Sequence, residues 1–185
     1  MSDVAILKEM INNVATVPLE TEHDNQVIKL KESSASSPYD VIIRGIPSDT
    51  KVIVLKPDAF TAPKEVFANS RHECKRADFV IVADTGEKKV IVYIEMKAGK
   101  GGSELEIIQQ LKGAQCFIGY CREIGQAFWN QPNFLEDYEY RFVSMRSIRV
   151  NKRPTRSTKT NSIHDRPEKM LKLEYQKIIQ FNQLI

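Results

Sequence analysis

The chain has 185 residues, 42% of them hydrophobic and 28% charged, the composition of one folded domain with a full core. Its longest apolar runs, such as "VIVYI", are far too short to span a bilayer, and a net charge of +3 sets no strong overall bias. Three cysteines (Cys74, Cys116, Cys121) form an odd set without CxxC spacing, which excludes a disulfide framework and leads us to expect a reducing cytoplasm.

In chain order, the N-terminal "MSDVAILKEM" carries Asp3 and Glu9 and lacks the basic-then-apolar layout of a signal peptide. Val4, Leu7, Ile11 and Val14 recur at helical spacing and predict an amphipathic helix over 3–14. "ESSASSP" (Glu32–Pro38) reads as a loop. "YDVIIRGI" and "KVIVL" are strand-like runs separated by the turn signal "PSDT". The irregular stretch "KPDAFTAPKEVFANSRHECKR" follows. Two further strands, "ADFVIVA" and "VIVYIEM", are joined by "DTGEKK". "SELE" (Ser103–Glu106) fits a capping box and opens a helix to about Ile124, with Ile107, Leu111, Ala114, Ile118 and Cys121 on one stripe. "QAFWNQPNFLEDY" reads as a loop with aromatic anchors, "YEYRFVSMRSIRV" as a strand and "NKRPTRSTKTNS" as an exposed basic linker. The final "KMLKLEYQKIIQFNQLI" leans towards a strand because its end is β-branched and aromatic, with a helix as the close alternative. The order predicts a single α/β or α+β domain over 1–185, with a mixed β-sheet flanked by helices.

Charge is unevenly spread. Residues 1–50 hold eight acids against four bases, whereas residues 141–160 hold seven bases and no acid. Such a run attracts polyanions, nucleic acid above all. A solvated basic loop looks the same, so the run gains meaning only beside a site that handles phosphate.

The hairpin supplies a candidate for that site. Side chains alternate along a strand, so Glu95 and Lys97 share a face, with Ile91 and Tyr93 behind them. If Gly86–Glu87 is a two-residue II′ loop, paired residue numbers sum to 173 and Asp78 sits opposite Glu95. Opposed Cβ atoms lie about 4.5–5.5 Å apart. Two carboxylates that close repel each other unless a cation lies between them. Lys97 neutralises them in part; a divalent metal would do so more fully. Glycines and a helix start follow at once, and free helix amides suit a phosphate.

An Asp opening one apolar strand, then a second apolar strand ending E-x-K, resembles the PD-(D/E)xK, or restriction-endonuclease-like, nuclease superfamily. Here the match reads "ADFVIVADTGEKKVIVYIEMK", with Asp78, Glu95 and Lys97 in the motif positions at a spacing of 17, within a region of about 76–122. Ala77 replaces the motif's proline. A literal Pro57–Asp58 is set aside as a metal ligand, because no strand-like run follows it and it lies 37 residues before Glu95. The resemblance implies a restriction-endonuclease-like core and a Mg²⁺-dependent nuclease, with Mn²⁺ as a substitute, acting on phosphodiester bonds of DNA, with an endonuclease favoured. Asp78, Glu95 and the backbone carbonyl of Met96 would hold the metal. Lys97 would orient or help deprotonate the attacking water, and Gln110 in "IIQQLKGAQ" (Gln109 less so) would position water or backbone. Glu9 is the available acid on the first helix, off its apolar stripe; Glu20 and Glu22 are no better placed. Arg146, Arg149, Lys152, Arg153, Arg156 and Lys159 would track the nucleic-acid backbone. A homodimer would give two active sites for two-strand cleavage.

Other signals are weaker. "RHEC" lacks the PCxxC of a zinc deaminase, the histidines and cysteines lack structural-zinc spacing, and "AGKGGS" is not a phosphate-binding P-loop. Trp129 reads as a core anchor rather than a base-stacking ring. The alternative function is a non-cleaving nucleic-acid-binding or partner-docking module on the same fold, and a third reading is a small α/β protein whose E-x-K is coincidence.

Overall fold

In the central strands the sequence abandons apolar–polar alternation, the mark of a sheet covered on both faces. The computed structural model, which describes residues 1–32, 39–98, 102–147, 163–174 and 176–185, has this arrangement. Strands β1 (Leu19–Glu22), β2 (Asn25–Glu32) and β3 (Tyr39–Arg44) lead to β4 (Val52–Leu55), β5 (Phe79–Asp84) and β6 (Lys89–Ala98). After helix α2 (Glu104–Trp129) come β7 (Glu139–Ser147), β8 (Leu171–Glu174) and β9 (Ile178–Gln180). Helix α1 (Asp3–Met10) opens the chain. The class is α+β, with two mixed sheets rather than the one expected: β4-β5-β6-β7-β8 and β1-β2-β3-β9.

The five-stranded sheet lies between two cores. Val80, Val82, Ile91 and Tyr93 face the helices, packing with Leu7 of α1 and Ile107, Leu111 and Ile118 of α2. Ile81, Val90, Val92 and Ile94 face the second sheet, against Ile28, Leu30 and Ile43. Among the described residues no helix is long and apolar enough to cross a membrane.

The hairpin register follows from its turn. Thr85 N–H donates to the Lys88 carbonyl at 3.0 Å, Gly86 N–H donates to Asp84 Oδ1 at 2.8 Å, and Gly86 has φ +86°. Gly86–Glu87 is therefore the two-residue loop, and pairs such as Phe79↔Ile94 and Asp84↔Lys89 keep the expected sum. Strand β6 then pairs in parallel with β7, setting Glu95 beside Ser144 and Lys97 beside Arg146.

Several boundaries differ from the expectations. Helix α1 ends at Met10, short of Val14, because Asn12 accepts from the Val14 N–H and starts a 3-10 turn at Asn13; Val14 is 74% exposed. Helix α2 runs five residues past Ile124 and ends where Asn130 adopts the left-handed conformation (φ 52°). Gly125, a natural stop signal, lies inside it, where an added Cβ would meet the Phe134 ring at 2.1 Å. The C-terminal segment forms two short strands, β8 and β9. The β1–β2 hairpin was not foreseen; its two turn residues, His23 and Asp24, both have positive φ. The loop over 33–38 and the whole of the basic linker, 151–162, lie outside the described residues.

Helix α2 also packs closely on the chain before β5. A Cβ at Gly113 would stand 1.7 Å from the Lys75 carbonyl oxygen. Gly→Ala inside a helix ordinarily gains up to about 1 kcal/mol. Here Gly113→Ala is expected to destabilise by about 1–3 kcal/mol through overpacking, read from the urea unfolding midpoint.

Candidate active site

The register brings Asp78, immediately before β5, opposite Glu95. Asp78 Oδ2 accepts the Met96 N–H at 2.7 Å, which fixes the carboxylate across the strand pair. Lys97 Nζ lies 2.7 Å from Glu95 Oε1. Glu95 is fully buried, with the Lys97 ammonium and the Asp78 backbone N–H against its carboxyl. Met96 points its side chain to the opposite core, so only its backbone belongs to the site.

Buried polar atoms without partners are uncommon in native proteins. Two lie on the strands that carry the site. Ser144 Oγ is on the residue of β7 paired with Glu95, 1% exposed, and Tyr93 Oη, two residues back on β6, lies under the influence of Tyr140 and Arg122. On α2, Gln110 Oε1 is likewise buried and unpaired, one turn beyond Glu106. Gly102, with φ +81°, brings the chain over Lys97, where a Cβ would stand 3.3 Å from Lys97 Cε.

Burial dominates the electrostatics. It pushes the Asp78 carboxyl up to about 7; Met96's amide and Lys97 oppose this, while Glu32 and Asp58 add to it. Burial, then the Asp78 charge, pushes Glu95 up to about 8 against the pull of Lys97. Burial alone would lower Lys97, but Glu95, Asp78 and Glu106 outweigh it and hold the ammonium above its ordinary range. Lys97 is thus a cation at neutral pH, suited to orienting water and offsetting charge rather than to acting as a base.

The expected residues are distributed as follows. Asp78, Glu95 and Lys97 converge. Glu9 is exposed on α1. Arg146 is half-buried beside Lys97, between it and Glu174 of β8. Arg149, Lys152, Arg153, Arg156 and Lys159 lie outside the described residues. The start of α2, expected to face a phosphate, carries its own acids: Glu104 pairs with Lys172 at 2.7 Å and Glu106 with Lys75 at 3.0 Å. Those carboxylates already match the positive end of the helix.

Some residues near the site were set aside or missed. A cleft of about 480 Å³ is lined by Asp78 itself together with Glu20, Lys29, Lys31, Glu32, Lys56 and Asp58. Asp58 follows β4 on a 3-10 turn (Pro57–Ala59), and its charge reaches Asp78 although no strand follows it. Lys31 and Lys56 come from separate strand ends, so no local run of bases announces them. Lys172 lies on β8 next to Ser144 and became placeable only with the β7–β8 pairing.

Two neighbouring carboxyl groups suit a hard divalent cation such as Mg²⁺, which takes one or two carboxylates and completes its shell with water and phosphate oxygens. Among the described residues no group of three or more His, Cys, Asp or Glu is arranged to hold a metal, so any such ion would rest on this pair and the backbone. Comparisons with protein-family models, curated proteins and solved structures return no match.

The raised carboxyls give a sign-definite linkage. Folded Asp78 and Glu95 keep protons up to about 7 and about 8, whereas unfolded they ionise near 3.8 and 4.5. Between those limits the folded state binds more protons, so their contribution is full at acid pH and is lost as pH rises. In EDTA at pH 8, Glu95→Gln is expected to be more stable than wild type by on the order of 1 kcal/mol, or about 2–4 °C in thermal midpoint, and to show a flatter pH profile.

Proposed function

We propose that this chain is a divalent-metal-dependent nuclease that hydrolyses phosphodiester bonds, with DNA as substrate and internal cleavage favoured. The observation that carries the reading is Glu95, a fully buried carboxyl opposite Asp78 and 2.7 Å from a protonated Lys97. Burying one acid beside another costs stability even with a cation at hand, and a fold that needed only packing there would use an apolar residue.

Asp78 and Glu95, with the carbonyl of Met96, the residue after Glu95, would hold Mg²⁺ or Mn²⁺. When bound, the cation supplies Lewis acidity and lowers the pKa of water for attack on phosphorus. The chain's own groups do the rest. Met96's amide keeps one Asp78 oxygen turned inward, leaving the other free. Lys97, anchored on Glu95, presents its ammonium to the charge that develops on the phosphoryl oxygens during in-line displacement. Gln110, with an unpaired carbonyl oxygen, can accept from the attacking water and fix its direction. Arg146, beside Lys97, and Lys31 and Lys56 in the neighbouring cleft supply positive charge for adjacent phosphates. The three free cysteines agree with a reducing compartment, which we take to be the cytoplasm.

Incubation with plasmid and linear DNA in Mg²⁺ or Mn²⁺ tests this directly. Cleavage should disappear in EDTA and in Asp78→Ala, and should fall by on the order of 10²–10³ in Lys97→Ala. Calorimetry with Mn²⁺ should give heat with wild type and with Lys97→Ala but none with Asp78→Ala. Unchanged cutting by both variants sinks the site. No heat in wild type, as in Asp78→Ala, would instead favour a binding module that keeps the fold without cleaving.

A further inference from the structure

Beside the proposed site lies an apolar groove that the hydrolytic reading does not use. It has a volume of about 370 Å³ and runs between α2 and the chain over 60–76. Phe60, Phe67, Phe117 and Tyr120 line it, with Arg76 among them. Phe67 and Tyr120 are each 53% exposed and Phe60 is 39% exposed. The Phe60 ring centroid lies 5.7 Å from that of Phe117 and 6.0 Å from that of Tyr120. The Arg76 guanidinium stands 4.9 Å from the Phe60 centroid, over the ring. Phe117 is buried and gives the cluster its structural anchor; the open rings of Phe67 and Tyr120 add little to that core.

Place and charge narrow the occupant. Arg76 is two residues before Asp78, so at most about 7 Å of chain separates groove from carboxylate. Gly113, in the groove wall, is one helical turn beyond Gln110. The lining carries one base, Arg76, and one acid, Glu73, and only Arg76 lies over a ring. Open aromatic faces around a stacked guanidinium match a flat ring on a polyanionic backbone. An apolar peptide would gain nothing from the cation on Phe60. In single-strand recognition, Arg contributes both stacking and attraction for phosphate.

We infer that this groove stacks an unpaired nucleobase of the strand that enters the site, so that the substrate is single-stranded or locally opened. A base inside a duplex is stacked on its neighbours and cannot offer its face to a side groove. The inference takes its substrate position from the nuclease reading, but the stacking itself requires no cleavage.

Binding in EDTA separates the two ideas. Fluorescence anisotropy would compare wild type with a Phe67→Ala/Tyr120→Ala double variant on a short oligothymidylate, on the same oligonucleotide carrying abasic sites, and on a duplex. The double variant should bind oligothymidylate roughly 5- to 150-fold more weakly, with duplex affinity unchanged. Wild type should bind the abasic strand as weakly as the variant binds the intact one. Equal affinity of variant and wild type for oligothymidylate overturns the inference. So does an equal loss on duplex and abasic strands, which would mark the rings as part of a protein-docking surface. If the double variant melts early, Phe67→Ala alone carries the comparison. Ring-dependent binding without cleavage in Mg²⁺ would defeat the nuclease reading alone; cleavage with ring-independent binding would defeat only this one.

Discussion

Everything in this fold is organised around a pair of carboxyl groups held side by side across a hairpin, inside the protein. Such a pair cannot be built on a loop, which would swing it into water. It needs two strands whose backbones cannot yield. Strands β5 and β6 meet that need because both of their faces are covered, by helices on one side and by the second sheet on the other. The cost of the pair is distributed over those two cores. Lys97 offsets part of it, and retained protons offset more.

Helix α2 links that pair to its surroundings. Its first turn sends Glu106 to Lys75, and the Glu106 charge also acts on Lys97. The first turn of α2 therefore ties the end of β6 to the segment that precedes β5. Gly113 tightens the same joint by letting the helix approach the Lys75 carbonyl. The result is a rigid corner where the chain before Asp78, the end of β6 and the helix share one set of contacts. The aromatic groove grows from this corner, two residues of chain from Asp78.

Much of this was legible in the residues. The hairpin, its register and the helix stripe are local in sequence, and local chemistry determines them: a glycine at the turn, a serine at the cap, apolar runs of strand length. Residues 15–32 were not legible, because "LETEHDNQVIKLKE" mixes charge into its strands and its turn, His23–Asp24, lacks the usual glycine. The full length of α2 was hidden by Gly125, whose missing side chain makes room for Phe134 and does not end the helix. At the site, the motif residues could be found from spacing alone. Asp58, Lys31, Lys56 and Ser144 could not, since each reaches its position through a sheet edge or a long-range pairing. The start of α2 was misjudged for another reason: its free amides are visible in any helix, but the pairing of Glu104 and Glu106 depends on partners far away in the chain.

The two-residue turn has a consequence for how this fold could vary. In a sheet with one wet face, a one-residue slip would expose the core, so the hydrophobic pattern guards the register. Strands β5 and β6 are apolar on both faces, and a slip would exchange one greasy surface for another. Packing alone is nearly indifferent to it. What distinguishes the correct alignment is Gly86 at one end and the charged residues at the other. A single inserted residue in that distant loop would leave a protein that folds and packs, yet has its acids turned out of phase, so the chemistry of this chain is guarded by the length of a turn at the far end of the hairpin.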